Sequence, residues 1–402
     1  MTALLLVLDI ARPATMSQSN DRDHFFQTSD SIATAQRKAA KSQNKNGKPI
    51  DLKSKILAVR ADPDDAHVVY VAQATGLLRR VNLETNDTKT TYAGAQAPLT
   101  SIAFSDDPPD QRIVYAGCWD KTIKSWSVST RKPNPPLTGH RDFVKSLLWT
   151  RLSGSPILIS GGADAMIIVR DLTTNKILHT IKEHTRGILD LALDPTSQSA
   201  NEILLFSADS AREIRRWRIT VDKVEAIAEP LRAHATSVNR LYFEAAGVSD
   251  DGAVEADLWT ASSDKTVQHL VRARGWESDT TLEHPDYVRD VVVSGDGRWV
   301  VTACRDEEVR VWDASSGKLV CTYSGHFEEV TGLALVNGGR TVVSVSIDGT
   351  VRQWSLDAAA EIRKTGEEAD KIKDVPPEEP KASMLTADEE AELAELMDSD
   401  DE

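Results

Sequence analysis

The chain has 402 residues and a formal net charge of −15, and its 40% apolar and 27% charged residues are typical of soluble proteins. The acidic excess argues against general binding to the nucleic-acid backbone, which requires a basic surface. Three cysteines, Cys118, Cys304 and Cys321, are too few and too dispersed for a disulfide framework, so we expect a reducing compartment, the nucleus or the cytoplasm. No apolar run reaches the roughly 18 residues of a membrane-spanning helix, so no membrane contact is expected.

The first predicted region is a polar N-terminal extension, residues 1–47. Residues 3–8 are apolar, but no basic residue precedes them and Asp9 ends the run, which does not fit a secretory signal. We interpret residues 1–15 as a mis-assigned start or a frayed end, leaving translation to begin at Met1 or at Met16. A helix is predicted from about Asp30 to Ser42. The arm at 37–53 offers basic residues for nucleic-acid contact, namely Arg37, Lys38, Lys41, Lys45, Lys48 and Lys53.

Residues 48–357 consist of short Val/Ile/Leu/Thr runs separated by Gly, Pro, Asp and Asn turns, a pattern that predicts strands. The runs form seven repeats. One turn position recurs at residues 75, 120, 164, 211, 264, 306 and 348, and an aromatic residue or its substitute follows six residues later. The spacing is close to the roughly 40–45 residues of a four-stranded propeller blade. A His precedes five of the repeats, and apolar residues recur four, seven and nine positions after it.

This pattern resembles the WD40-repeat family over about residues 50–357. The resemblance implies an all-β fold, a seven-bladed WD-repeat β-propeller with disordered or short-helical extensions. It also implies a structural tetrad of His, Ser/Thr, Asp and Trp in each blade. Two blades contain all four residue types, which are His284, Thr302, Asp306 and Trp312, and His326, Ser344, Asp348 and Trp354. In the blade of His184, Ala211 occupies the Asp position, and in the blade of His140, Arg170 replaces the Trp.

The last repeat lacks a fourth strand, because the chain after Trp354 has no segment resembling Lys318–Tyr323. An open ring would leave an unpaired strand edge, which soluble proteins avoid. We therefore predict that the segment at about Lys48 to Lys53 completes the last blade.

The histidines and carboxylates of this chain do not predict an enzyme. Five of the nine histidines occupy one repeated position, where the resemblance implies packing. The sequence contains no phosphate-binding glycine-rich loop, no His-Glu-x-x-His and no set of inward carboxylates outside the repeats. We expect no catalytic residues, metal, cofactor or small-molecule substrate, and an enzyme with a site in the propeller channel is the least favoured alternative.

Candidate partner-binding residues follow from the resemblance, which implies that one narrow face is lined by the third residue after the His and by residues flanking the turn Asp. With neighbouring loop positions, these are Trp119, Lys121, Arg141, Phe143, Arg186, Arg212, Lys265, Tyr287 and Arg305. Basic side chains among aromatic ones suit an acidic or phosphorylated peptide. The alternative is an ordinary solvated rim. Blades six and seven instead place acidic residues on this face, namely Asp286, Glu307, Glu328 and Glu329.

The C-terminal region divides into a charged, Pro-containing linker, residues 358–384, and an acidic tail, residues 385–402. Thr386 to Glu389 forms a capping-box signature, which predicts a short helix. Its apolar stripe, Leu393, Leu396 and Met397, is a candidate docking motif, and the alternative is a disordered solubilising tail. Ser399, followed by three acidic residues, is a candidate phosphosite.

These observations predict a non-enzymatic scaffold that mediates protein–protein interactions in a nuclear or cytosolic multiprotein assembly. The alternative is a nucleic-acid- or ribonucleoprotein-associated factor that uses the basic 37–53 arm. The sequence names neither the partner nor the pathway.

Overall fold

The computed structural model describes residues 29–361 except 198, 245–246 and 249–253. The predicted tail motif and phosphosite, Leu393, Leu396, Met397 and Ser399, lie outside the described residues. The chain divides into two units, residues 1–355 and 356–402, and in the second unit residues 356–361 are helical. Helix α1 (Ser29–Ser42) coincides with the helix predicted from the sequence. Across the described ranges, no helix combines the length and the apolar composition needed to cross a membrane.

The described residues of the first unit form seven antiparallel blades whose first strands line one central channel. Blades one to three contain β2 (Ile56–Ala61), β3 (Val68–Gln73), β4 (Leu78–Asn82) and β5 (Thr91–Tyr92); β6 (Leu99–Phe104), β7 (Ile113–Cys118) and β8 (Ile123–Ser127); and β9 (Val144–Leu152), β10 (Ser155–Gly162), β11 (Ile167–Asp171) and β12 (Lys176–Ile181). Blades four and five contain β13 (Ile188–Leu193), β14 (Ile203–Asp209), β15 (Ile214–Ile219) and β16 (Val224–Ala226); and β17 (Val238–Phe243), β20 (Leu258–Ser262), β21 (Thr266–Val271) and β22 (Glu277–Glu283). Blades six and seven contain β23 (Val288–Val293), β24 (Trp299–Cys304), β25 (Glu308–Asp313) and β26 (Leu319–Ser324); and β27 (Val330–Val336), β28 (Thr341–Ser346), β29 (Thr350–Ser355) and β1 (Ile50–Asp51).

Neighbouring blades pack face to face through apolar side chains. Between blades three and four, for example, the buried residues include Ile159, Val169, Leu205 and Trp217. Each blade is covered on both faces, so its second strand is buried along almost its whole length, as in β3 and β24. This explains why those strands are continuous apolar runs rather than alternating ones.

The seven predicted turns share one backbone conformation. The residue after each turn position has a left-handed φ, between 62° and 83°, at Gly76, Lys121, Ala165, Arg212, Lys265, Glu307 and Gly349. Such a φ is uncommon outside glycine. The turn therefore repeats in every blade, including the two whose turn position carries Thr75 or Ala211 instead of Asp.

Blade seven takes its fourth strand from the N-terminal side of the domain. Strand β1 pairs antiparallel with β29, placing Ile50 opposite Val351 and Asp51 opposite Thr350. The backbone N–H of Leu52 donates to the carbonyl of Gly349 at 2.9 Å. This is the ring closure expected from the sequence.

Two blades depart from the regular pattern. Blade two has three strands, because its outer segment contains Pro133, Pro135 and Pro136, which cannot donate to a strand ladder, and bridges to β8 replace the ladder. Blade five contains an insertion between β17 and β20, where a small hairpin pairs β18 (Gly247–Val248) with β19 (Val254–Glu255). The insertion accounts for the longest of the six spacings between the seven turn positions.

Candidate functional site

The tetrad of His326 forms as the resemblance implies. Its Nδ1 donates to Asp348 at 2.9 Å, and its Nε2 accepts from the hydroxyl of Ser344 at 2.8 Å. The indole N–H of Trp354 donates to the same Ser344 oxygen at 2.8 Å. Burial lowers the pKa of His326, although Asp348 acts to raise it. A neutral, buried imidazole with both nitrogens bonded holds the blade together and is not available as a base.

Two further blades contain the same His–hydroxyl–Asp chain without the Trp. It consists of His140, Ser160 and Asp164 in blade three, and of His234, Thr260 and Asp264 in blade five.

The tetrad of blade four corrects the sequence prediction that its Asp is lost at Ala211. Asp209, the last residue of β14, bonds His184 Nδ1 at 2.9 Å. The imidazole and Trp217 both bond the Ser207 hydroxyl at 2.7 Å. The carboxylate of blade four thus lies two residues before position 211, where the repeat spacing places it. The tetrad of this blade is complete.

The predicted tetrad of blade six is broken at its carboxylate. His284 bonds Thr302 at 2.8 Å, and Trp312 bonds Thr302 at 3.0 Å, as expected. Asp306, however, forms a bidentate pair with Arg310, and its oxygens lie 2.6 and 3.2 Å from the guanidinium. Because a bidentate pair with Arg is stronger than a neutral hydrogen bond, Asp306 is diverted, and His284 Nδ1 donates to the Leu282 carbonyl at 3.1 Å instead.

We expect His284 to make the stability of the protein pH-dependent. Burial, together with nearby Arg310, lowers its pKa to about 4, against about 6.5 in an unfolded chain. The unfolded state therefore binds more protons between these values, and stability falls by about 3 kcal/mol as pH drops from 6.5 to 4. Urea unfolding of wild type and His284→Gln at pH 7, 5.5 and 4.5 measures the effect, and the variant should show a shallower pH dependence. Parallel curves would contradict it.

The central channel contains inward carboxylates, contrary to the sequence prediction that there are none. Its volume is about 660 Å³, and Asp190 and Asp290 line it with Arg240 between them. Arg240 Nε lies 3.0 Å from an Asp290 oxygen, and Nη1 lies 3.6 Å from Asp190. Each carboxylate also accepts a backbone N–H from the inner strand of the following blade, that of Leu241 for Asp190 and that of Leu333 for Asp290. These bonds tie inner strands together, so the carboxylates are structural.

The candidate partner face is centred on a stacked aromatic pair. The rings of Trp119 and Phe143 lie 4.9 Å apart at an angle of 13°, and Trp119 is 38% exposed. Lys145 places its ammonium 5.9 Å from the Trp119 ring. Burial, reinforced by Arg289, lowers the pKa of Lys145. The repeat positions do not predict Lys145, because it is the additional residue at a bulge in β9, where the strand register shifts.

A groove of about 480 Å³ lies between blades three and four. Lys145, Asp164, Arg186 and Ser210 are among its lining residues. Lys145 also lies beside the Trp119 ring, so it connects the groove and its second cation, Arg186, to the aromatic pair.

The structure distributes the remaining predicted residues around the ring. Tyr287 and Arg305 form a second pair, with the guanidinium 5.3 Å from the ring. Across the described part of the chain, no carboxylate lies within ion-pair distance of the exposed cations Lys121, Arg141, Arg186, Arg212, Lys265 and Arg305. The repeat pattern predicted that these six cations lie at loop positions. The structure adds that none of them has an ion-pair partner among the described residues.

The acidic sector of the same face is covered by helix α1. Arg37 and Lys41 bind Glu307 at 2.9 and 2.8 Å. Lys41 also binds Glu308 at 2.9 Å, and Lys38 binds Glu328 at 2.7 Å. Burial acts to lower the pKa of Lys41, but the hydrogen bonds to the two carboxylates outweigh it and raise that pKa. Helix α1 thus neutralises Glu307, Glu308 and Glu328, whereas the predicted cations of blades two to five stay exposed.

Comparisons with known proteins agree with this architecture. The family model described as WD domain, G-beta repeat matches residues 86–127, 276–313 and 317–355. A WD repeat-containing protein of Schizosaccharomyces pombe is 37% identical over 390 residues, covering 94% of this chain and 99% of that protein. Nuclear distribution protein nudF of Aspergillus niger is 24% identical over 329 residues, covering 79% of this chain and 72% of nudF. Pre-mRNA-processing factor 19 of Mus musculus is 25% identical over 177 residues, which are 44% of this chain and 32% of that protein.

Proposed function

Because this chain belongs to the WD-repeat family, we propose that it is a non-enzymatic scaffold that binds an acidic or phosphorylated segment of a partner protein. The binding site is the sector of Trp119, Lys121, Arg141, Phe143, Lys145 and Arg186, called the basic–aromatic sector below. The observation that carries the proposal is that this sector combines an exposed aromatic stack with cations that have no ion-pair partner among the described residues, on a chain whose net charge is −15.

The chemistry of this sector fits an anionic peptide. Lysine and arginine form strong charge-assisted hydrogen bonds with carboxylates and phosphates. Exposed Trp beside Arg is the composition of interface residues that contribute most of the binding energy. The acidic residues elsewhere on the chain repel an anionic peptide only weakly, because exposed charges are screened over roughly 8–10 Å in physiological salt.

The groups that could perform chemistry support a scaffold over an enzyme. The channel carboxylates are satisfied by Arg240 and by backbone N–H groups. Burial raises the pKa of the Cys304 thiol to about 12, which makes it a poor nucleophile. The tetrad histidines are bonded at both nitrogens.

We also propose a nuclear or cytosolic multiprotein assembly as the setting. The names of two relatives, a nuclear distribution protein and a pre-mRNA-processing factor, support it. Nucleic-acid binding through the 37–53 arm is less favoured, because three of its six cations, Arg37, Lys38 and Lys41, are engaged by carboxylates of blades six and seven.

We expect Trp119→Ala to weaken partner binding by about 2 kcal/mol or more, roughly 30-fold, if Trp119 is central to the interface. Lys121→Asn removes a charge while keeping a residue type that tolerates the left-handed φ of 72°. Quantitative affinity purification with each variant as bait, followed by titration of the captured partner's acidic segments as synthetic peptides, measures the effect. Ile177→Ala is the matched control, since Ile177 is 42% exposed on the outer strand of blade three.

Partners retained at wild-type affinity by both sector variants would contradict the proposal. Loss of the same partners with Ile177→Ala would contradict it as well, because the effect would then not be specific to the sector.

A further inference from the structure

Blade five contains a cluster of metal-ligating side chains at the opposite end of its inner strand from the partner face. Glu244 directly follows β17, Asp257 directly precedes β20, and His269 lies on β21. One donor atom from each of the three lies within 4.8 Å of the other two. The Nε2 atom of His269 is 4.0 Å from a Glu244 oxygen and 3.8 Å from an Asp257 oxygen. We propose that Glu244, Asp257 and His269 bind a divalent transition-metal ion, with zinc as the best fit.

A second carboxylate fixes the orientation of the imidazole. His269 Nδ1 donates to Asp279 at 2.8 Å, so its proton resides there and the lone pair of Nε2 faces Glu244 and Asp257. The ring also packs on Trp259, with centroids 4.5 Å apart. A carboxylate bonded to the far nitrogen of a ligating histidine is the usual support of such a ligand, since it sets the tautomer and raises the basicity of the donor.

A strand bulge places that carboxylate. The pairing of β21 with β22 shifts between His269 and Leu270, and Asp279 is the additional residue. Blades three and six contain the same shift at the equivalent positions, after Val169 and after Val311. There the additional residues are Leu178 and Val320. The fold accepts apolar side chains at both positions, so the His–Asp pair in blade five is not required for packing.

The distances favour a bridging ion over direct contacts. His269 Nε2 is buried and forms no hydrogen bond with any described residue. Its separations from the carboxylates exceed the roughly 2.7–3.2 Å of a hydrogen bond. An ion bound at about 2.0–2.2 Å from each donor would instead hold those donors about 3–4 Å apart. A metal ion placed between Nε2 of His269 and the two carboxylates would therefore give this buried nitrogen a partner.

The donor set selects the metal. An imidazole combined with two carboxylates suits zinc better than calcium or magnesium, which prefer oxygen donors alone. The three side chains are 15–31% exposed, so water can reach the fourth coordination position.

Equilibrium dialysis of the purified full-length chain against buffered Zn²⁺ tests this inference. We expect each wild-type chain to bind one more zinc ion than a chain carrying His269→Ala or Glu244→Gln. Zinc should raise the melting temperature of the wild type but not that of either variant. Asp279→Asn should weaken binding by about 10–100-fold, the effect of removing a supporting carboxylate. Circular dichroism establishes that the variants are folded.

His179→Ala is the matched control, because His179 is a half-buried imidazole on an outer strand that bonds the Thr220 carbonyl at 2.9 Å. It should bind zinc as wild type does. Unchanged zinc stoichiometry and affinity in both His269→Ala and Glu244→Gln would overturn the site. Equal affinity for Ca²⁺ or Mg²⁺ would overturn its assignment to a transition metal.

Discussion

Deletion of residues 1–54 should lower the free energy of unfolding of the whole propeller by several kcal/mol. Ile50 and Leu52 are 7% and 6% exposed and pack against Val343, Val345 and Val351. Burying such a side chain contributes about 1.5–3 kcal/mol, so these two residues alone account for about 3–6 kcal/mol. The deletion also exposes the edge of β29, which the protein otherwise covers.

The residues preceding β1 add to this effect. The carbonyl of Gly47 accepts the backbone N–H of Gln353 at 2.8 Å, and the guanidinium of Arg352 donates to the Asn44 carbonyl at 3.2 Å. Urea unfolding of the full chain, the 1–54 deletion and the 1–15 deletion measures the contribution. The 1–15 deletion should match the full chain. If the 1–54 deletion also matched it, the N-terminal strand would not stabilise the ring.

The second large effect is expected for Trp126→Ala, at about 3–5 kcal/mol of lost stability. Trp126 is 1% exposed, and its indole N–H donates to the Ala93 carbonyl at 2.8 Å. Truncation leaves a cavity next to Tyr92 and an unsatisfied carbonyl. Trp119→Ala, seven residues away along the chain, is the matched control.

Trp119 is 38% exposed, against 1% for Trp126, so its truncation removes less buried area and should cost less stability. Thermal and urea unfolding of the two variants measure the contrast. Similar losses of stability in both would show that Trp119 is part of the packing of blade two and would weaken its assignment to the partner face.

The repeat periodicity predicted the fold because each blade repeats one register of strands and turns. The same counting misplaced one residue, since it assigned the carboxylate of blade four to position 211, where Ala211 stands, while Asp209 bonds His184. Counting assumes a fixed loop length. In blade six, residue types were predicted correctly but their pairing was not, because competition from Arg310 for Asp306 depends on geometry.

The candidate site was predictable to the extent that it follows the repeat. Trp119 and Phe143 lie at repeat positions, and the structure stacks the two side chains at the centre of the proposed binding sector. The neutralisation of Glu307 by Lys41 joins residues 266 positions apart, and no local pattern indicates it. The same holds for the cluster around His269, whose members lie on or next to four strands, with the insertion between Glu244 and Asp257.

Strand β1 also determines the order in which the ring is completed during synthesis. It leaves the ribosome about 300 residues before its partner β29, an interval on the order of 15–60 s at about 5–20 residues per second. The closing strand is therefore already synthesised when the last blade emerges, and it is available to cover the edge of β29 at once. Until β29 is synthesised, β1 has no partner strand. It is only two residues long, and such a short strand offers few backbone groups for pairing with other chains.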